Sequence, residues 1–208
     1  MKKGTFLMGA GLLLILAALF LTGYNIWDDS RAGREAQELV LKMEEEIGGN
    51  DSESEGIPDY ISNPDMEMPV IEINGQRYIG QLEIPKLGLT LPIMDSWSYP
   101  KLRIAPCRYQ GSAYKNDLII AGHNYQRHFG QLKTLVSGDQ MIFMDVEGHL
   151  FVYEVTEMEV LDPTAVEAMQ SGDWDLTLFT CTYGGQSRVT LRCKKIVNGS
   201  KLGYNNKE

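Results

Sequence analysis

The alternation of apolar and polar residues changes character twice along the 208-residue chain. From Thr5 to Tyr24 the run "TFLMGAGLLLILAALFLTGY" carries no charge over 20 residues, about the length a helix needs to cross ~30 Å of hydrocarbon. A helical period follows. Ala32, Ala36, Leu39 or Val40, Met43 and Ile47 form one stripe, and Gly48 is placed to end it. "NDSESEGIPDYISNPDMEMP" then shows little apolar period and reads as linker.

From Val70 the period becomes two. The pattern predicts a hairpin about Asn74-Gly75 and a Pro-bounded strand in "IPKLGLTLPI". A short buried strand in "NDLIIAGH", a hairpin about Glu147-Gly148 and a last strand pair in "DLTLFTCTYGGQSRVTLRCKKIV" follow. Helix is confined to Gly130–Val136 and to Pro163–Gln170, with Asp162 as cap. Many short strands at close spacing suggest an antiparallel barrel or sandwich. The predicted organisation is a tip and anchor (1–27), an acidic juxtamembrane helix and linker (28–69), and a β domain (70–208).

Charge refines this picture. Lys2 and Lys3 precede the apolar run and Asp28 and Asp29 follow it, so the N-terminus is expected in the cytoplasm and the rest outside. A cleaved signal peptide is the rival reading, but "FLTGYN" offers no small-x-small cleavage site. The net charge of −9 is concentrated in residues 28–69, which hold 13 acidic and three basic residues. The acidity thus belongs to a stalk, and without a basic stripe interleaved with aromatics nucleic acid is not an expected partner. Cys107, Cys181 and Cys193 are odd in number, so one is free or paired between chains, and pairing of Cys107 with Cys193 stays open. No His/Cys spacing suits zinc, and neither a metal nor another cofactor is expected.

Three polar residues stand out against the β pattern. Cys181 ends "LTLFTC", His123 ends "LIIAGH", and Arg188 opens the strand after Gly184-Gly185. Singly, each is more often structural: a core thiol, a satisfied histidine, a solvated arginine. Together they make chemistry. A thiol with pKa ~8.5 needs a cation or base beside it to act as a nucleophile. Imidazole can pass a proton to a leaving amine and take one from an incoming amine. A guanidinium supplies a fixed positive charge to an oxyanion. Opposition across a turn centred on Gly184-Gly185 pairs Cys181 with Arg188, and puts Arg192, a second candidate on the same face, near Thr177.

"TLFTC" (Thr177–Cys181) fits the TLxTC signature of sortases, membrane-anchored cysteine transpeptidases of mainly Gram-positive bacteria. "IPKLGLTLPI" resembles their early strand, and "YQGSAYKNDLIIAGHNYQRHFGQLKTLVSGDQMIF" resembles the segment bearing their catalytic His. "SRVTL" resembles the strand bearing their catalytic Arg. The resemblance covers about residues 77–197. It implies a closed antiparallel β-barrel with short helices, in which Cys181 is the nucleophile, His123 the acid–base and Arg188 the oxyanion group. Thr180 would help to hold substrate. His128 and His149, which lack the Ala-Gly context of His123, are expected at the surface. The segment between His123 and Cys181 is too short for the helical insertion of class B, which favours a class A, D or E pattern.

The function so implied is cleavage of an LPxTG-like sorting signal on a surface protein. The acyl group would pass to an amine of a peptidoglycan precursor or a pilin. A membrane-tethered endopeptidase using water, and an anchored β module without catalysis, are the competing readings.

Overall fold

The structure, a computed structural model, describes residues 2–48, 57–182 and 184–196. A single helix, α1 (Lys2–Gly48), carries both N-terminal patterns without a break. At 1.5 Å per residue it is about 70 Å long. Its first half exposes Phe6, Leu13, Ile15, Phe20 and Ile26, and among the described residues it is the one helix long and apolar enough to cross a membrane. Its second half behaves differently. Ala32, Ala36, Leu39, Val40 and Met43 are buried, and Leu39 and Met43 share a cluster with Ile73, Tyr78, Met94, Ala105 and Cys107.

This corrects the idea of an acidic stalk. Arg31 is braced between Asp28 (2.9 Å) and Glu35 (2.6 Å), and the apolar stripe lies on the β domain. The folded body therefore begins at the first turns beyond the apolar run.

Nine strands follow: β1 (Ile71–Ile73), β2 (Gln76–Ile84), β3 (Leu89–Met94), β4 (Cys107–Gln110), β5 (Leu118–Gly122), β6 (Gln140–Asp145), β7 (Leu150–Leu161), β8 (Leu176–Cys181) and β9 (Arg188–Lys195). The order β2-β3-β4-β5-β8-β9-β7-β6 closes through a β2–β6 pairing into an eight-stranded barrel, with β1 added outside β2. Closure depends on Gly80. It sits at a register shift in β2 with φ 151°, and a Cβ there would lie 2.1 Å from the carbonyl oxygen of Met144 on β6. Pro92, within β3, is tolerated because β3 meets β4 only at Met94↔Cys107, so its missing N–H breaks no ladder on that side.

Six of the eight barrel pairings are antiparallel, as the alternation predicts; β3–β4 and β5–β8 are parallel. The parallel β5–β8 pair matters most here, because it brings two strands to the same edge by their C-terminal ends. The core is filled by Ile79, Leu82, Ile93, Leu118, Ile120, Phe143, Phe151, Leu178 and Leu191 among others. The Asn74-Gly75 and Glu147-Gly148 hairpins form as expected. The later helix is shorter than expected. It spans Val166–Gln170 (labelled α4, after the single turns α2, Asp59–Ser62, and α3, Tyr99–Leu102), and Asp162 instead accepts from the Thr164 backbone N–H and hydroxyl. The 130–136 segment forms one 3₁₀ turn at Leu132–Thr134.

Candidate active site

The β5–β8 register sets Gly122 beside Thr180 and Ala121 beside Phe179. His123 and Cys181, next along their strands, thus leave the barrel at neighbouring strand ends, with adjacent strands ~4.8 Å apart. The β8–β9 register sets Cys181 opposite Arg188 and Thr177 opposite Arg192. Three adjacent strands bring thiol, imidazole and guanidinium to one edge of the barrel.

Each arrives for a local reason. Gly122, immediately before His123, makes room for the Phe129 ring, whose Cδ2 lies 2.3 Å from where a Cβ would stand. The His123–Gly130 loop folds back over it, with Phe129 N–H donating to the His123 carbonyl (3.1 Å) and Gly130 N–H to the Tyr125 carbonyl (2.8 Å). After Cys181, Thr182 N–H donates to the Ser187 carbonyl (2.9 Å) and Ser187 N–H to the Thr182 hydroxyl (3.0 Å). Gly184 and Gly185, both at positive φ, complete this turn. Arg188 is half-buried and its Nη1 donates to the carbonyls of Gly185 and Ser187, both at 3.3 Å.

Arg192 has a different occupation. It is 2% exposed. Its Nε donates to Glu159 (2.6 Å), Nη1 to the Met169 carbonyl (2.7 Å) and Thr177 hydroxyl (3.1 Å), and Nη2 to the Ala168 carbonyl (2.6 Å). Its donors are spent on tying the end of α4 to the barrel, which leaves Arg188 as the guanidinium beside the thiol.

A cavity of about 250 Å³ opens over Cys181 and Arg188. Trp97, Tyr109, Phe179, Val166 and Met169 form much of its wall. Tyr109 meets Phe179 edge-on with ring centroids 5.3 Å apart and Trp97 at 5.6 Å. None of these wall residues was singled out from the sequence, because elements distant in the chain supply them: the loop before α3, β4, α4 and β8. Thr180 also lines the cavity. Alternation along β8, however, points its side chain inward with Leu176 and Leu178, and its hydroxyl is buried without a partner among the described residues.

His123 is half-buried, and its Nδ1 has no hydrogen-bond partner among the described residues. Burial, and after it the charge of Arg103, push its imidazole below the ordinary range; Asp28 and Asn124 oppose the shift. Of the other two histidines, both expected at the surface, His128 is not there. His128 is fully buried, and burial depresses it to about 4. Its loop is pressed against α1, a contact invisible to a reading that treats residues 28–69 as stalk. His149 is part-buried, bonding Asp145 (2.9 Å) through Nδ1.

A cluster of carboxylates and a histidine lies at the far end of β7 from Arg188, in the β6–β7 turn. Asp145, Glu147 and His149 offer ligand atoms within 4.8 Å of one another. The buried Asp145 already accepts from the Tyr114 hydroxyl (2.8 Å) and from the backbone N–H of Glu147 and of His149 (both 2.9 Å), which makes it the organiser of the β6–β7 turn. Cys107 and Cys193 are free and buried, and burial pushes both thiols up to about 12.

This geometry can be set beside known proteins. The "Sortase domain" family model matches residues 82–196. Sortase D of Bacillus subtilis (strain 168) is 29% identical over 107 residues, which is 49% of this chain and 53% of that protein; the chain therefore spans about half the length of this curated relative. Among solved structures, sortase C1 of Streptococcus suis is 26% identical with a TM-score of 0.51, covering 58% of this chain and 74% of that one. Sortase C of Clostridium perfringens, solved with the C-terminal cell wall sorting motif, aligns with a TM-score of 0.61 over 78% of this chain and 100% of that one. At 21% identity this last likeness concerns the fold. With more than half its length matched by the family model and its barrel shared with these structures, the chain belongs to the sortase family.

Proposed function

We propose that this protein is a cysteine transpeptidase that cleaves an LPxTG-like sorting signal and joins the acyl group to an amine of the cell wall or of a pilin. The carrying observation is the register that sets Cys181 opposite Arg188, at the strand end next to His123, under an apolar cavity. Cys181 attacks the scissile carbonyl and forms a thioacyl enzyme, and His123 protonates the departing amine. In the second half His123 accepts a proton from the incoming amine, which takes the acyl group and releases the thiol. Arg188 stabilises the oxyanion of both tetrahedral states. The aromatic and aliphatic wall suits the apolar side chains of such a peptide. Thr180, facing inward, would meet substrate through its backbone.

The Lys2–Lys3 pair before the span and the Asp28–Asp29 pair after it support a cytoplasmic N-terminus and an extracellular barrel. The experiment is intact-mass spectrometry of the full-length protein in right-side-out and inside-out vesicles, given LPxTG-like peptides with and without a free amine. The expected result is a thioacyl adduct in right-side-out vesicles, converted to a new amide when amine is present. Water as the sole acceptor would make the protein an endopeptidase. No adduct with any peptide would leave an anchored β module, and an adduct confined to inside-out vesicles would reverse the orientation.

The two arginines are expected to fail differently. Loss of one oxyanion donor costs ~2.7–4 kcal/mol, so Arg188→Ala should lose roughly 10²–10³-fold in kcat with an unchanged melting temperature. Lys at 188 should rescue only in part, lacking the planar fork. Arg192→Ala strands the Met169 carbonyl in a buried site, an unmet buried group costing ~1–3 kcal/mol, and should chiefly lower the melting temperature. An Arg192→Ala enzyme that stays as stable as wild type yet is dead, beside an active Arg188→Ala, would exchange their roles.

A further inference from the structure

The anchor helix reaches the site. Tyr125 lies two residues beyond His123 and its ring stacks on the imidazole, with centroids 3.9 Å apart and planes inclined by 15°. The phenol hydroxyl of Tyr125 donates to Asp28 Oδ2 at 2.6 Å, across 97 residues of sequence. Asp28 stands on α1 about one helical turn past Tyr24, the last residue of the apolar run. The other Asp28 oxygen accepts from Arg31 Nε (3.1 Å) and Nη2 (2.9 Å), which fixes the carboxylate on the helix.

The same helical turn holds the loop elsewhere. Arg127 N–H donates to Asp29 Oδ1 at 3.4 Å. Gly33 is packed so closely by Arg127 that a Cβ would meet its Cδ at 2.0 Å. His128, at 0% exposure, fills the space beside Ala32, also at 0%. Loop and helix are thus one packed unit.

A stacked ring restricts an imidazole to one plane, and a ring tied at its far end cannot swing away. His123 needs such restraint, because its Nδ1 has no hydrogen-bond partner among the described residues to orient it. We infer that Asp28 and Tyr125 are positioning residues for His123, so that the first turn of the anchor helix beyond the membrane span is part of the active site. The inference rests on His123 being the acid–base of the proposed transpeptidase. It also assigns a consequence to the anchor, since the helix that crosses the membrane is the one that holds the imidazole.

The groups facing His123 are Arg103 from the segment after α3, Asp28 and Arg31 from α1, and Asn124, Tyr125 and His128 from its own loop. Arg103 disfavours the imidazolium and Asp28 favours it. Asp28→Asn removes a favourable charge, so the His123 midpoint should fall.

The test uses the full-length protein in detergent micelles, with kinetics on an LPxTG-like peptide and NMR of ¹³Cε1-labelled histidine. The chain has three histidines, and His128, depressed to about 4, is recognised by titrating far below the others. Tyr125→Leu, which removes stack and tether, should lower kcat by about 10²-fold, the scale of an ångström-level misplacement, with KM unchanged. Tyr125→Phe keeps the stack and should retain most of that loss. Asp28→Ala should match Tyr125→Phe in kcat, and the double variant should be no worse than either single, because both cut one bond. His123 should titrate lower in Asp28→Asn, and its resonance should shift in Tyr125→Leu. Wild-type kcat in Tyr125→Leu, independent losses that multiply in the double variant, or an unmoved His123 resonance and midpoint in every variant would each overturn the inference. If wild type turns over no peptide, the transpeptidase reading fails, and the His123 titration alone decides whether Asp28 and Tyr125 hold the ring.

Discussion

Cys181→Ala is expected to abolish turnover and thioacyl formation, while Cys107→Ala and Cys193→Ala stay active. The thiolate is the nucleophile, so a competent cysteine needs access to substrate and a neighbour that favours ionisation. Cys181 lines the 250 Å³ cavity and lies opposite Arg188. The other two thiols are buried, and their rise to about 12 leaves almost no thiolate at neutral pH. Cys107 directs its thiol to the Ala105 carbonyl at 3.4 Å, and Cys193 lies in the main core with Leu176 and Leu191. Removal of a covalent nucleophile in an enzyme of this logic costs on the order of 10⁶-fold in kcat. Each variant is to be assayed for turnover, for peptide adduct by intact mass and for melting temperature. A folded Cys107→Ala or Cys193→Ala that is equally dead, or an adduct that persists in Cys181→Ala, would move the nucleophile elsewhere.

Much of the barrel was legible because its information is local. Alternation marks a half-buried strand wherever it occurs, and Asn74-Gly75 and Glu147-Gly148 announce their turns through positive φ at Asn74, Gly75 and Gly148. The opposition of Cys181 and Arg188 was legible too, since the turn between them is short and counting back from Gly184-Gly185 gives the register. Parallel pairing was not. A strand that pairs parallel to a partner 58 residues away carries the same alternation as one that pairs in a hairpin. The cavity wall was illegible for the same reason, with Trp97, Tyr109 and Met169 meeting only once the barrel closes. The docking of α1 shows how a correct pattern can be misassigned. The stripe Ala32, Ala36, Leu39 or Val40 and Met43 was visible, but a charged opposite face with a net local charge of −10 reads equally well as a solvated stalk. Only the complementary surface of β1 and β3 distinguishes the two, and sequence spacing does not reveal it. His128 was misread along with it, because its burial comes from that contact.

His123→Ala should cost at least ~10²–10⁴-fold, the contribution of a positioned acid–base group, with further loss from the nucleophile's missing partner. His149→Ala is the control, since that side chain serves Asp145 in the β6–β7 turn and is not part of the site. The pH dependence carries a sign that can be worked out in advance. Burial first and the Arg103 charge second hold the folded-state imidazole below its ordinary value of 6.5, so the neutral form persists to lower pH than in a free histidine. Transfer of the acyl group to an amine needs His123 neutral to accept a proton. The acidic limb of that half-reaction, read from aminolysis of the preformed thioacyl enzyme, should therefore lie below pH 6.5. Arg103→Gln removes an opposing cation and should move the limb upward, towards the ordinary value. Release of the first amine needs the protonated form instead, so the two half-reactions draw on opposite protonation states of one imidazole. Added imidazole should restore part of the activity of His123→Ala by supplying the missing proton carrier. A full-speed His123→Ala enzyme, or an aminolysis limb that stays fixed in Arg103→Gln while the His123 midpoint moves, would remove His123 from the proton transfer.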